Sequence, residues 1–384
     1  MIRPLVLITL LASIAGTAGA QIGKSVSVAA GTDEDKALSE IYAAPDGPTK
    51  IALLDKFMTD FGKGDLELLG DQLYEQSYLA QKNYAKVYEY GEKALKLDPG
   101  NFSTVVILIH AADEQGDAQK AFSYGEKATA IVTRFKSAAP PEGTSLEQWP
   151  GQQKQTLTDA QPDIAYVQFA MVNSAQKTTN AAARAALLER FVAAFPDSAY
   201  APSARDQIAF SYQQAQVPAK MLEAAQKNLE ADPNDISMLV LLADYWSDSG
   251  QQLDKAAANA AKALDLLAKA QKPENVTDEQ WQRQISIQKG LAYSSLGEVY
   301  VVKTQNPQAV EAFKQAGPLL KSDIFSYARN LYRLGFTLAK MQRIPEARVV
   351  LAEAVSLNTP YKARAQETLD KIGGGTKKPA RKTS

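Results

Sequence analysis

The chain has 384 residues, room for two to three ordinary domains of roughly 150 residues each. Its 42 Lys and Arg offset 43 Asp and Glu to a net charge of −1, so the totals show no general nucleic-acid-binding face. With no cysteine and one histidine, His110, the sequence excludes disulfides, thiolate chemistry, iron–sulfur clusters, cysteine-bound zinc and His-pair zinc motifs. No metal site, cofactor or enzymatic activity is expected from so sparse an inventory.

In chain order, residues 1–20 read as a cleaved signal peptide. Arg3 supplies the positive start, Leu5 to Ile14 the apolar run, and Ala18-Gly19-Ala20 the small-x-small cleavage pattern. That run is short of the about 20 residues needed to span a bilayer. The mature chain is therefore expected to be exported without a transmembrane segment, to a bacterial periplasm or beyond. Residues 21–35 read as a flexible start. Three segments follow: 36–160, 161–275, and 276–372 with its closing helix. A basic tail ends the chain at 373–384.

The segments repeat. Tyr90-Gly91-Glu92-Lys93-Ala94 returns 34 residues on as Tyr124-Gly125-Glu126-Lys127-Ala128, and 34 is the period of a two-helix solenoid unit. The clearest copy carries Tyr293, Leu296-Gly297 and Tyr300 on a first helix, then Ala309, Phe313 and Ala316 on a second. The next carries Leu331, Leu334-Gly335, Leu338, Ala347, Leu351 and Ala354. A longer period overlies these. Ala52-Leu53-Leu54-Asp55-Lys56-Phe57-Met58 returns as Ala186-Leu187-Leu188-Glu189-Arg190-Phe191-Val192, and Asp98-Pro99 returns as Asp232-Pro233, both 134 residues on.

These residues resemble the tetratricopeptide repeat (TPR) family. The resemblance implies an all-α, right-handed α-solenoid of about eight TPR-like helix pairs plus a C-terminal capping helix over Tyr361 to Ile372. Helix starts are readable too. Thr277 with Gln280 fits a capping box, and Ser145 with Gln148 repeats it, although Pro150 predicts a short or kinked helix there. Residues 137–151 and 271–276 read as the internal loops.

Candidate chemistry is thin. His110 lies where the family resemblance faces the concave groove, with Asp113 and Glu114 close enough to raise its pKa. By that register the partner-binding groove comprises Gln72, Gln76, His110, Asp113, Asp206, Phe210, Asp244, Asp248, Glu298, Arg329, Tyr332, Phe336 and Lys340. Its middle is acidic and its C-terminal end aromatic and basic. The family's Lys/Asn carboxylate clamp is missing, since Gln72 with Gln76 and Val106 with His110 hold the matching positions. Asn101-Phe102-Ser103 and Asn275-Val276-Thr277 match the glycosylation sequon, which matters only in a eukaryotic secretory pathway.

Two functions remain. The first is a non-catalytic scaffold of the bacterial envelope, binding a peptide or protein segment in the groove. The alternative is a structural envelope protein without a specific groove ligand, held by its outer surface or by weak contacts of Lys377, Lys378, Arg381 and Lys382.

Overall fold

The structure, a computed structural model, describes residues 22–141, 143–274 and 276–373. The expected signal peptide, the tail beyond Gly373 and Asn275 of the second sequon lie outside the described residues. The chain forms two compact units that divide between Gln216 and Val217.

The N-terminal unit comprises α1 (Asp33–Ala43), α2 (Pro48–Phe61), α3 (Asp65–Ala80), α4 (Tyr84–Leu97), α5 (Phe102–Gln115), α6 (Ala118–Lys136), α7 (Trp149–Asp159), α8 (Gln161–Lys177), α9 (Ala181–Ala194) and α10 (Ala201–Gln214). The C-terminal unit comprises α11 (Pro218–Ala231), α12 (Ile236–Ser249), α13 (Leu253–Lys269), α14 (Asp278–Val302), α15 (Asn306–Leu320), α16 (Ile324–Lys340), α17 (Ile344–Ser356) and α18 (Tyr361–Ile372). Leaving aside α7 and the closing α18, seven successive pairs lie within one unit or the other, and α10 and α11 flank the division between the units. Both units are all-α solenoids of TPR-like helix pairs.

Packing explains the pairs. Ala309, Phe313, Leu331, Leu334, Leu338, Ala347, Leu351 and Ala354 are buried in one core over α15 to α17, with Tyr300 packed against it. A Cβ on Gly297 would come within 2.5 Å of the Phe313 ring, and one on Gly335 within 2.5 Å of Leu351. Each glycine thus lets a large side chain of the second helix reach the backbone of the first. Ala365 brings α18 onto the same core, as a terminal cap must.

Helix starts follow local chemistry. Thr277 Oγ1 accepts from Gln280 N–H at 3.2 Å and Gln280 Oε1 accepts from Thr277 N–H at 3.2 Å, completing the expected capping box of α14. Ser145 makes half of that arrangement, accepting from Gln148 N–H at 3.2 Å. α7 then starts at Trp149, so Pro150 sits in its first turn and sacrifices no helical hydrogen bond. The helix is short, at 11 residues against 25 for α14, and it is anchored where Trp149 Nε1–H donates to Ala138 O at 2.9 Å.

The start of the described chain is tied down, contrary to the flexible stretch expected from residue 21. Ile22 is buried and its carbonyl accepts from Phe102 N–H at 3.1 Å. Lys24 N–H donates to Asp98 Oδ2 at 2.7 Å. Asp98 also accepts from Gly100 N–H and Asn101 Nδ2, so one carboxylate both closes the α4–α5 junction and receives the incoming chain.

Turns within pairs use a left-handed residue. Gly116 and Gly250 adopt it without penalty at φ 69° and 67°, whereas Lys82, Gln342 and Thr304 hold φ 57°, 60° and 62°. Thr304 is the most strained of these because it is β-branched. Thr304→Gly is expected to stabilise the C-terminal unit by roughly 0.5–1 kcal/mol, the relief of left-handed strain less the entropy of glycine. Urea unfolding would show this as a higher midpoint at unchanged slope; a lower midpoint would contradict it.

Candidate functional site

In the N-terminal unit, helices α3, α5 and α10 carry the predicted groove residues. Gln72 and Gln76 are half-buried on α3. His110 on α5 stacks on Tyr166 of α8, with ring centres 3.7 Å apart and planes within 11°. Burial pushes its imidazole below the ordinary 6.5, against the opposing pull of Glu114 and Asp113. The sequence suggested the opposite balance, because burial of the imidazole is not legible in it; both carboxylates also have other partners. Asp113 accepts from Asn173 Nδ2 at 2.9 Å and Lys177 Nζ at 3.1 Å, and Glu114 accepts from the Tyr84 hydroxyl at 2.6 Å. Asp206 and Phe210 lie on α10, where Phe210 is exposed. Phe169 on α8 is exposed too and went unpredicted, because this stretch lacks the repeat signature that fixes register.

The C-terminal unit gathers its predicted residues far more tightly. Arg329 on α16 is 7% exposed and grips Asp244 on α12 through both carboxylate oxygens, at 2.7 and 3.0 Å. It also lies 3.6 Å from Asp248. One turn further along α16, Arg333 pairs with Asp248, lies 3.3 Å from Glu298 on α14, and donates to Ser294 Oγ at 3.3 Å. Burial works against the Arg329 charge, but Asp244 outweighs it and the guanidinium pKa rises. Burial likewise pushes the Glu298 carboxyl up, opposed chiefly by Arg333.

This changes the electrostatic picture. Asp244, Asp248 and Glu298 are not a free acidic strip, because two buried guanidinium groups on α16 hold all three. Sequence reasoning missed Arg333 altogether. Its signal was there, four residues after Arg329 and so on the same helical face.

An aromatic group shares the pocket with these ion pairs. Phe325, Tyr361, Tyr332 and Phe336 form a continuous chain, with successive ring centres 5.4, 6.1 and 6.1 Å apart. Phe325 is 50% exposed and Phe336 38%, and neighbouring Ile324 is 58% exposed. Lys340 lies 5.1 Å over the Phe336 ring, and Arg364 lies 6.0 Å over that of Tyr361. A pocket of about 220 Å³ opens here, with Asp248, Glu298 and Arg333 on its polar side and Tyr332, Phe336 and Tyr361 on its aromatic side. No group of His, Asp or Glu among the described residues is placed to hold a metal ion. No helix among them is long and apolar enough to cross a membrane.

No family model and no curated protein matches the sequence. Solved structures do resemble it. The Cut9–Hcn1 hetero-tetramer of the APC/C aligns at 13% identity and a TM-score of 0.41, over 88% of this chain and 62% of that one. The present chain thus spans less than two thirds of that protein's length. NprR in complex with its cognate peptide NprX aligns at 12% identity and 0.37, over 89% of this chain and 82% of that one. The TPR domain of P58(IPK) aligns at 12% identity and 0.31, over 89% and 98%.

Proposed function

We propose that the chain is a non-catalytic interaction scaffold of the bacterial cell envelope, and that it binds a peptide or protein segment on the α16–α18 surface of its C-terminal unit. The observation that carries this reading is the partly exposed aromatic chain Phe325–Tyr361–Tyr332–Phe336 beside a fixed set of ion pairs. Rings held in place lose little entropy on binding, and aromatic residues beside arginines are the usual composition of binding hot spots. The signal-like residues 1–20 support the envelope location. The catalytic inventory is thin: no cysteine, and one histidine already stacked on a tyrosine.

Capture from envelope extract tests the reading. Tyr332→Ala with Phe336→Ala is expected to weaken retention of a genuine partner by about 2 kcal/mol or more. Circular dichroism would show that the double variant remains folded. Equal retention of every captured protein by the wild type and the folded variant would move the binding surface elsewhere.

A further inference from the structure

We infer that the α16–α18 surface takes an acidic segment carrying aromatic or aliphatic side chains, an inference that rests on the binding surface proposed above. The argument is charge complementarity. Arg333 and Arg364 line the pocket with Asp248 and Glu298, the Arg329–Asp244 pair adjoins them, and Lys340 lies over the pocket's Phe336 ring. Four positive charges against three negative leave one in excess.

The arrangement says more than the total. All three carboxylates are engaged by Arg329 and Arg333. Lys340 and Arg364 are exposed, and neither makes an ion pair among the described residues. Each rests on a ring of the aromatic chain, Lys340 on Phe336 and Arg364 on Tyr361. An apolar side chain entering the pocket therefore finds rings around it and, beside them, two exposed cations outside any ion pair, of which Lys340 also acts on Glu298. Carboxylates flanking that side chain complete the pairing at the rim, where long-range attraction also speeds encounter. A basic segment meets the opposite situation: it must approach past Lys340 and Arg364 and compete with two buried guanidinium groups for Asp248 and Glu298.

A random peptide library displayed on phage and selected on the purified chain tests this directly. The expected selection is rich in Asp and Glu alternating with aromatic or aliphatic residues. Its binding should weaken with rising salt. Lys340→Glu with Arg364→Glu should weaken those peptides about tenfold and remove most of the salt dependence. Lys340→Gln with Arg364→Gln should fall between that variant and wild type. Both positions are exposed, and unchanged thermal unfolding would confirm intact folding.

Selection of neutral peptides, or of basic ones resembling the chain's own residues 377–382, with binding still lost in Tyr332→Ala/Phe336→Ala, would overturn the acidic partner and leave the surface standing. Peptides indifferent to Tyr332→Ala/Phe336→Ala, or no enrichment at all, would overturn the surface and the inference with it.

Discussion

Arg329→Ala is expected to destabilise the C-terminal unit by about 3–5 kcal/mol, the usual loss when one partner of a buried ion pair is removed. The loss arises mainly from what remains. Asp244 has only 14% of its side chain exposed, and it would lose the two hydrogen bonds that now offset its burial. Arg329→Lys should also fail to recover the wild type, because an ammonium cannot reproduce the planar two-point contact. Replacing both partners, Arg329→Met with Asp244→Leu, should restore most of the loss, since an apolar pair of similar volume leaves no charge stranded. Urea unfolding followed by Trp246, on the same helix as Asp244, reads the effect. A loss below about 1 kcal/mol for Arg329→Ala would mean that the pair behaves like an exposed one.

Removing Glu75 should have the opposite sign. Its carboxyl on α3 is fully buried, and neither oxygen has a hydrogen-bond partner. It lies against Gly91 of α4, where a Cβ would come within 2.5 Å of Oε1. Thr104 of α5 is close enough to favour the charged form, whereas Asp71 of α3 and Glu92 of α4 add like charge. Burial therefore holds the Glu75 carboxyl well above the ordinary 4.5. The folded chain keeps a proton that the unfolded chain releases. Stability from this group is full below pH 4.5 and falls by about 1.4 kcal/mol per pH unit above it, for as long as the folded carboxyl stays protonated.

Asp71, one turn earlier, reinforces the trend. Burial raises it to about 6, against the pull of Lys93 and helped by Glu67 and Glu89. Its own contribution fades as the pH climbs from 3.8 towards 6 and levels off beyond. Glu75→Met should therefore raise the stability of the N-terminal unit at neutral pH by about 2 kcal/mol or more, with a flatter pH profile than wild type. Thermal unfolding from pH 4.5 to 8 measures both. Parallel wild-type and variant profiles would show that Glu75 carries a charge in the folded state after all.

The helix pairs of the C-terminal unit were legible because their signature alternates small and large residues at positions that must meet. Gly297 with Phe313 and Gly335 with Leu351 are such meetings, and both are local in sequence. The same holds for the Thr277–Gln280 cap and for α18. Four features escaped for a common reason. The anchoring of Ile22 and Lys24 uses backbone hydrogen bonds to a junction about 75 residues away, which leaves no periodicity to read. The pairing of Arg333 with Asp248 needs the relative placement of two helices, which register on one helix does not supply. The environment of His110 depends on Asn173, Lys177 and Tyr84 from other helices. The unit boundary at Gln216 falls in a turn with a left-handed non-glycine residue, like the turns at Lys82 and Gln342 inside the units. Glu75 was invisible as well, since a polar residue on an amphipathic helix ordinarily faces water.

The Arg329–Asp244 contact joins residues 85 apart. In a stack where only adjacent pairs touch, helices can fray from an end one pair at a time. Here α16 reaches back past α14 to α12, so three successive first helices are fastened together. Peeling α16 away strands Asp244, and loosening α12 strands Arg329. The C-terminal half should therefore come apart as a single cooperative block. A link across so long a stretch of chain closes only after the loop entropy between its ends has been overcome, which places it late in the folding reaction.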